Sequence, residues 1–230
     1  MSNEQVRQQN IRAVLSQALK LFVAHGVENT SVEMVARKSD LTLRSVQNYF
    51  HTKIDLIAAV LNNCYACELE EMNIFFESEQ YQGKNGAEQV IAIVTAALDT
   101  ALLHHKVVFC TAQMQHIISR VPQKDGTQPL TGNWLHVMKL LQSAFEKGAL
   151  DGSIAQSTET ELVDVKTIML ALQGVREQVA YAMCDRTLHE IFDPRTVVKK
   201  YVRQMELMLI SKQDQQRHCR GLNSPSQAGC

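Results

Sequence analysis

Several signatures are missing from this chain, and each absence removes a class of function. No phosphate-binding P-loop, dinucleotide fingerprint, G-x-S-x-G elbow or H-E-x-x-H pair occurs in the 230 residues, so no catalytic residue, metal ligand or cofactor is assigned and an enzyme is not expected. Net charge is nearly lacking too. Against 23 Lys and Arg stand 24 Asp and Glu, a formal charge of -1, and the molecule as a whole has no electrostatic claim on nucleic acid. The opening residues MSNEQVRQQN are polar with no apolar segment behind them, which argues against a secretory signal and for a cytoplasmic protein. The longest apolar run, Val90 to Leu98, is closed by Asp99 and is too short to span a bilayer, so no membrane partner is expected. Six cysteines lie scattered without regular spacing, a pattern that favours reduced thiols over a disulfide framework.

What is present is helical periodicity, uninterrupted by any β-alternation, and the fold class expected is all-α with about nine helices. Ile11, Leu15, Ala18 and Phe22 follow helical steps towards Gly26, placed to end the helix at positive φ. Thr30 with Glu33 reads as a capping box for a short helix carrying Val32, Val35 and Ala36. Asp40 stands where the chain must turn, and Thr42 is a ready N-cap for a second short helix that carries Val46, Tyr49 and Phe50 inward. The short turn forces the two helices to cross steeply, the helix-turn-helix arrangement in which the second helix can enter a DNA major groove.

These residues carry a family resemblance. Ala18-Leu19-Lys20-Leu21-Phe22 running to Gly26, then Thr30-Ser31-Val32, Val35-Ala36, Leu41-Thr42, and Tyr49-Phe50 followed by Lys53 resemble, in order and spacing, the N-terminal domain of the TetR family of bacterial transcriptional regulators. The chain departs from the family with Asp40 where a turn glycine is usual, Arg44 where glycine is usual and Gln47 where an aromatic residue is usual. The last two changes place hydrogen-bonding side chains on the exposed face of the reading helix. The resemblance implies a dimeric one-component regulator, most simply a repressor, with a C-terminal helical domain for dimerisation and effector binding.

Charge is distributed to match. Through Lys53, seven cations (Arg7, Arg12, Lys20, Arg37, Lys38, Arg44, Lys53) face four anions (Glu4, Glu28, Glu33, Asp40), a net +3 that leaves -4 for the remainder. The expected organisation is a DNA-binding domain over residues 1–53, an effector and dimerisation domain over 54–210 and a disordered tail over 211–230. In the second part, Thr52 with Asp55 caps a long helix bearing Ile57, Val60, Leu61, Cys64, Leu69, Met72 and Phe76. The run from Val90 to Leu98 begins a helix apolar on most faces, and another is expected from about Val107 to Val121. Pro122 to Pro129 reads as a loop, Trp134 to Phe145 as an amphipathic helix closed before Gly152, Thr158 with Glu161 as another cap, and Asp193-Pro194 as the start of the last helix.

The site residues follow. DNA contacts are assigned to Thr30, Ser31, Thr42, Leu43, Arg44, Ser45, Gln47, Asn48, Tyr49 and Lys53, with Arg44 suited to guanine, Gln47 to adenine, and Tyr49 and Lys53 to phosphate. Phe75, Phe109, Gln113, Met114 and Trp134 are the candidates for a mostly apolar cavity holding a small effector, although Trp134 serves equally well as a core residue. Ala171, Gly174, Val198, Tyr201 and Met205 are assigned to a homodimer interface, because the last helix bears a second apolar stripe (Val197, Val202, Leu209) and needs two partners. A rival reading makes Cys64, Cys67 and His104 a thiol or metal site. Mid-helix thiols without a second pair at ligand spacing, and adjacent His104 and His105 pointing about 100° apart, favour packing roles instead.

Overall fold

The computed structural model describes residues 2–121, 131–154 and 165–209, the side chains of 131–135 excepted. The loop expected at Pro122–Pro129, the cap at Thr158 and Glu161, the side chain of Trp134 and the tail from Ser211 lie outside the described residues. Eleven helices occupy those residues: α1 Asn3–His25, α2 Val32–Lys38, α3 Leu43–Tyr49, α4 Lys53–Phe76, α5 Glu79–Gln82, α6 Gly86–Leu103, α7 His105–Ser119, α8 Thr131–Asp151, α9 Val165–Cys184, α10 Arg186–Ile191 and α11 Pro194–Leu209. The short α5 and α10 are additions to the expected set. Helix α1 also starts well before Ile11, because Ser2 accepts from the Gln5 N–H at 3.2 Å while its own N–H donates to the Gln5 side chain at 2.8 Å, a capping box.

Packing divides the chain into two compact units, Met1–Asn73 with His104–Trp134, and Ile74–Leu103 with Leu135–Cys230. The division does not fall after Lys53. Leu56, Ile57, Val60, Leu61 and Tyr65 of α4 share one core with Val14, Ala18 and Phe22 of α1, Val35 of α2 and Val46 of α3, and α7 adds Cys110, Met114 and Ile118. The apolar stripe of α4 recurs every three or four residues, so one side of the helix faces this core turn after turn. Gly26 ends α1 with φ 86° and ψ 151°, a region essentially reserved for glycine, and its N–H donates to the Phe22 carbonyl at 2.9 Å.

In the second unit α6 packs on both α9 and α11, which also touch each other. Its buried residues, Val90, Ile93, Val94, Ala97, Leu98 and Ala101, cover more than one face, as a central helix requires. Among the described residues α6 alone is long and apolar enough to cross a membrane by length and composition, and half of it is buried within the protein. Its N-terminus is held by a remote segment. The Gly86 N–H donates to Asp151 Oδ2 at 2.9 Å and the Ala87 N–H to Ser153 Oγ at 3.0 Å, satisfying amides that the helix itself leaves free. Asp151 is held below the usual carboxylate range, first by the Ser153 hydroxyl. Lys147 closes the same junction by donating to the carbonyls of Gln82 and Lys84.

Helix α11 begins at Pro194 with Asp193 accepting from the Arg195 N–H at 3.3 Å, as the Asp-Pro pair predicts. Its inward side is Val198, Met205 and Leu209, so Leu209, placed by spacing on the second stripe with Val197 and Val202, is corrected to the core of its own unit.

Candidate nucleic-acid interface

The path from α2 to α3 is set by backbone closure around Asp40. The Leu41 N–H reaches back to the Ala36 carbonyl at 3.0 Å and the Asp40 N–H to Arg37 at 3.4 Å, the paired bonds of a Schellman ending. That ending needs a left-handed residue, and Asp40 supplies it with φ 56°, the one non-glycine positive φ among the described residues. An aspartate holds this conformation at some cost in strain. Asp40→Gly is therefore expected to raise stability by about 0.5–1 kcal/mol. A thermal melt moved up by a few degrees checks this; an unchanged or lowered midpoint would mean the Asp40 side chain compensates the strain.

Helix α2 begins one residue later than its sequence cap suggested. Ser31 is the N-cap, accepting from the Met34 N–H at 3.2 Å, and it also holds the Glu33 carboxyl below its usual range. Thr30 is instead 1% exposed, with its hydroxyl directed to the carbonyls of Gly26 at 2.9 Å and Leu21 at 3.3 Å. This corrects the assignment of Thr30 to DNA contact. Its side chain closes the α1 C-terminus and has no free surface for phosphate.

Helix α3 presents the remaining candidates. Thr42 caps it by accepting from the Ser45 N–H at 3.1 Å. Val46 is fully buried and Phe50 nearly so, which fixes the helix by its inner side and turns Arg44, Gln47 and Asn48 outward, all three exposed. Burying side chains of this kind contributes about 1.5–3 kcal/mol each, enough to hold two short helices that could not persist alone. Leu43 and Ser45 are half-buried, and Thr42 is exposed at the helix start. Arg37 and Lys38, exposed in the last turn of α2, add positive charge beside the turn; the sequence counted them as charge without giving them a role.

Tyr49 and Lys53 are less free than expected. The Tyr49 ring stands edge-on to Phe50 with centroids 6.5 Å apart, and its hydroxyl accepts from the Asn10 side-chain amide at 3.3 Å. Lys53 Nζ donates to the Glu28 carbonyl at 2.8 Å, spending one of its three donors on the loop between α1 and α2. The Thr52 and Asp55 capping box is present, with 2.9 and 3.1 Å bonds. Beside it opens a shallow polar cleft of about 320 Å³, lined by Ser31, Glu33, Gln47, His51, Thr52 and Lys53 among others. Here the N-terminal turns of α2 and α4 and Lys53 face one space, which the acidic Glu28 and Glu33 also line. The partner role of Asn10 was not legible in the sequence, since nothing local links it to Tyr49.

The other candidate residues are placed differently. Met114 is fully buried in the core of the first unit, while Phe109 and Gln113 are half-buried on the same helix. Phe75, in the second unit, is half-buried with its ring 5.4 Å from Phe76 and 5.8 Å from Tyr81. Ala171 and Gly174 are exposed on α9 and Tyr201 is half-buried on α11. Val198 and Met205, however, are buried within their own unit, so they are corrected from interface to core; the outward apolar residues of α11 are Val197, Leu207 and Met208. Burial pushes the Cys64 thiol up to about 11 and the Cys110 thiol to about 12, which opposes the thiolate that redox or metal chemistry needs. Among the described residues no group of three or more His, Cys, Asp or Glu could hold a metal ion.

Comparison with known proteins converges on one family. Residues 14–60 match the family model described as bacterial regulatory proteins, tetR family. No curated protein matches the chain. Among solved structures, a TetR transcription regulator from Haloarcula marismortui is 13% identical with a TM-score of 0.65, covering 89% of this chain and 100% of that one. The transcriptional regulator FadR from Bacillus subtilis, solved with stearoyl-CoA, is 11% identical with a TM-score of 0.62, covering 86% and 98%. A tetR-family regulatory protein from Rhodococcus RHA1 is 16% identical with a TM-score of 0.61, covering 88% and 98%. Residues 14–60 thus match the helix-turn-helix region of the tetR family of bacterial regulatory proteins, and the fold along most of the chain is that of these solved regulators.

Proposed function

We propose that the protein is a cytoplasmic transcriptional repressor that binds a roughly palindromic operator as a homodimer and is released by a small, largely apolar effector. The observation that carries the reading is the outward face of α3, where Arg44, Gln47 and Asn48 project from a helix anchored by Val46, on the N-terminal stretch through Lys53 that holds the excess of positive charge. Arginine offers a fork that matches guanine O6 and N7, and glutamine pairs with adenine in the same groove. Ser31, Thr42, Tyr49 and Lys53 are read as the backbone contacts that fix register.

Dimerisation is supported by the outer side of α9 and α11. Ala171 and Gly174 are exposed, a Cβ added at Gly174 would meet nothing within 4 Å, and Gly174, Val175, Gln178, Phe192 and Val197 line an apolar groove of about 340 Å³. Two copies related by a two-fold axis would bring their reading helices to successive major grooves, about 34–36 Å apart or a multiple of one turn. For the effector, the solved FadR from Bacillus subtilis was in complex with stearoyl-CoA, and a ligand of largely apolar character is proposed here. A tenfold release requires about 1.4 kcal/mol of preference for the conformation that spaces the reading helices wrongly.

The test separates base reading from anchoring. On a duplex selected by the wild-type chain from a random pool, Arg44→Ala should lose about 1–3 kcal/mol while random DNA is bound almost as before. Lys53→Ala should weaken both alike and lower the slope of log affinity against log salt by about one. If Arg44→Ala weakened both sequences equally, it would be a phosphate contact; if the wild type selected no duplex at all, the DNA reading would fail.

A further inference from the structure

Helix α1 meets the rest of the first unit at Asn10. The residues before it, Asn3 to Gln9, are exposed, and Asn10 is the first half-buried position of the helix. Its side-chain amide donates to the Tyr49 hydroxyl at 3.3 Å, joining α1 to the last turn of α3 across 39 residues of sequence. The direction of this bond has a chemical consequence. A phenolic oxygen has one proton and can accept through its lone pairs, and its O–H prefers the ring plane. A donor on one side of the oxygen turns the proton to the other side, and accepting a bond strengthens the donation that the same hydroxyl can make. Tyr49 is also held at its ring by the edge-on contact with Phe50.

We propose that Asn10 is a positioning residue for DNA binding, its amide holding the Tyr49 proton turned away from α1 so that it donates to a backbone phosphate of the duplex. The inference rests on the DNA-binding reading above and assigns a function to the start of α1, which that reading leaves idle. A bond of 3.3 Å is at the long end for N–H to O, as expected of a contact that tightens when the hydroxyl gains its second partner. The contact is neutral, so it adds affinity without releasing a counterion.

A mutant cycle in the full chain, on the duplex selected by the wild type, decides the matter. Tyr49→Phe should weaken binding about tenfold and Asn10→Ala about three- to fivefold, and the double variant should bind no worse than Tyr49→Phe alone. The salt slope should be unchanged in all three, whereas a loosened domain that misplaced Lys or Arg contacts would lower it. Asn10→Asp should lose more than Asn10→Ala, because a carboxylate accepts a hydrogen bond from the phenolic O–H and turns it away from the phosphate; the same change made in the Tyr49→Phe background measures the added charge alone. Independent losses in the double variant, a lowered slope for Asn10→Ala, or Asn10→Asp costing no more than its charge would overturn the proposal. Lys53→Ala run alongside keeps the two readings apart: its loss of affinity and slope would persist if Asn10 alone were wrong, and no selected duplex at all would sink both.

Discussion

Alanine at Gly86 should destabilise the second unit by about 3 kcal/mol or more, among the largest effects of any single methyl group in the described residues. A Cβ there would lie 2.0 Å from the Gly148 nitrogen, 2.2 Å from its Cα and 2.6 Å from the Ala144 carbonyl oxygen. All three are backbone atoms, so no rotamer change relieves the clash and α6 has to move from α8. Movement would in turn draw the Gly86 and Ala87 amides away from Asp151 and Ser153, leaving helix-terminal groups without partners. A melt followed by circular dichroism should show the transition lowered by about 10 °C. Gly174→Ala is the control, since its Cβ would meet nothing and helix propensity should make it neutral or slightly stabilising in the monomer. Equal behaviour of the two variants would mean that the close approach at Gly86 is not a constraint.

Glutamate at Val198 and glutamate at Ala171 should separate folding from assembly. Val198 is 5% exposed, packed inside its own unit, and an unpaired carboxylate there should cost about 4 kcal/mol or more. Ala171 faces outward on α9, so Ala171→Glu should leave the melt of the isolated chain nearly unchanged while placing like charges opposite each other across a two-fold interface. The expected pair of results is a poorly folded Val198→Glu and a folded, monomeric Ala171→Glu that no longer holds the selected duplex. Sedimentation and a salt-controlled binding assay read both. A dimeric Ala171→Glu would move the interface off this face of α9; a well-folded but monomeric Val198→Glu would restore Val198 to it.

The contrast between Val197 and Val198 marks where sequence reading stops. Helical spacing identifies two apolar stripes on α11 but carries no label for which one faces the helix's own unit, and the packing of α6 and α9 redraws them: Leu209, grouped by spacing with Val197 and Val202, turns inward with Val198 and Met205. Local chemistry, by contrast, was readable. Thr42 with Ser45, Thr52 with Asp55, the positive φ of Asp40 and Gly26, and the Asp193-Pro194 start each depend on residues a few positions apart, and each is present. Thr30 and Ser31 show the intermediate case. Either hydroxyl could cap α2, and the choice is made by the Leu21 and Gly26 carbonyls, which claim Thr30 from the neighbouring helix. The start of α1 was missed although Ser2 and Gln5 have capping-box spacing, because the turns that follow bear almost no apolar side chain to mark a helix.

The bonds from Gly86 and Ala87 to Asp151 and Ser153 also set a schedule for synthesis. They span 65 and 66 residues, and the second unit is interleaved with the first along the chain. At roughly 5–20 residues per second, α6 leaves the ribosome about 3–13 s before its caps are made, and it waits longer for α9 and α11. During that interval the most membrane-like helix of the described residues has no partner for Val90, Ile93, Val94 and Leu98. The helix-turn-helix, whose α1 to α4 packing lies within the first 65 residues, faces no such delay. The nascent second unit is thus the part of this protein that a chaperone would recognise, and slowing translation beyond Leu103 would lengthen its exposure without touching the reading helix.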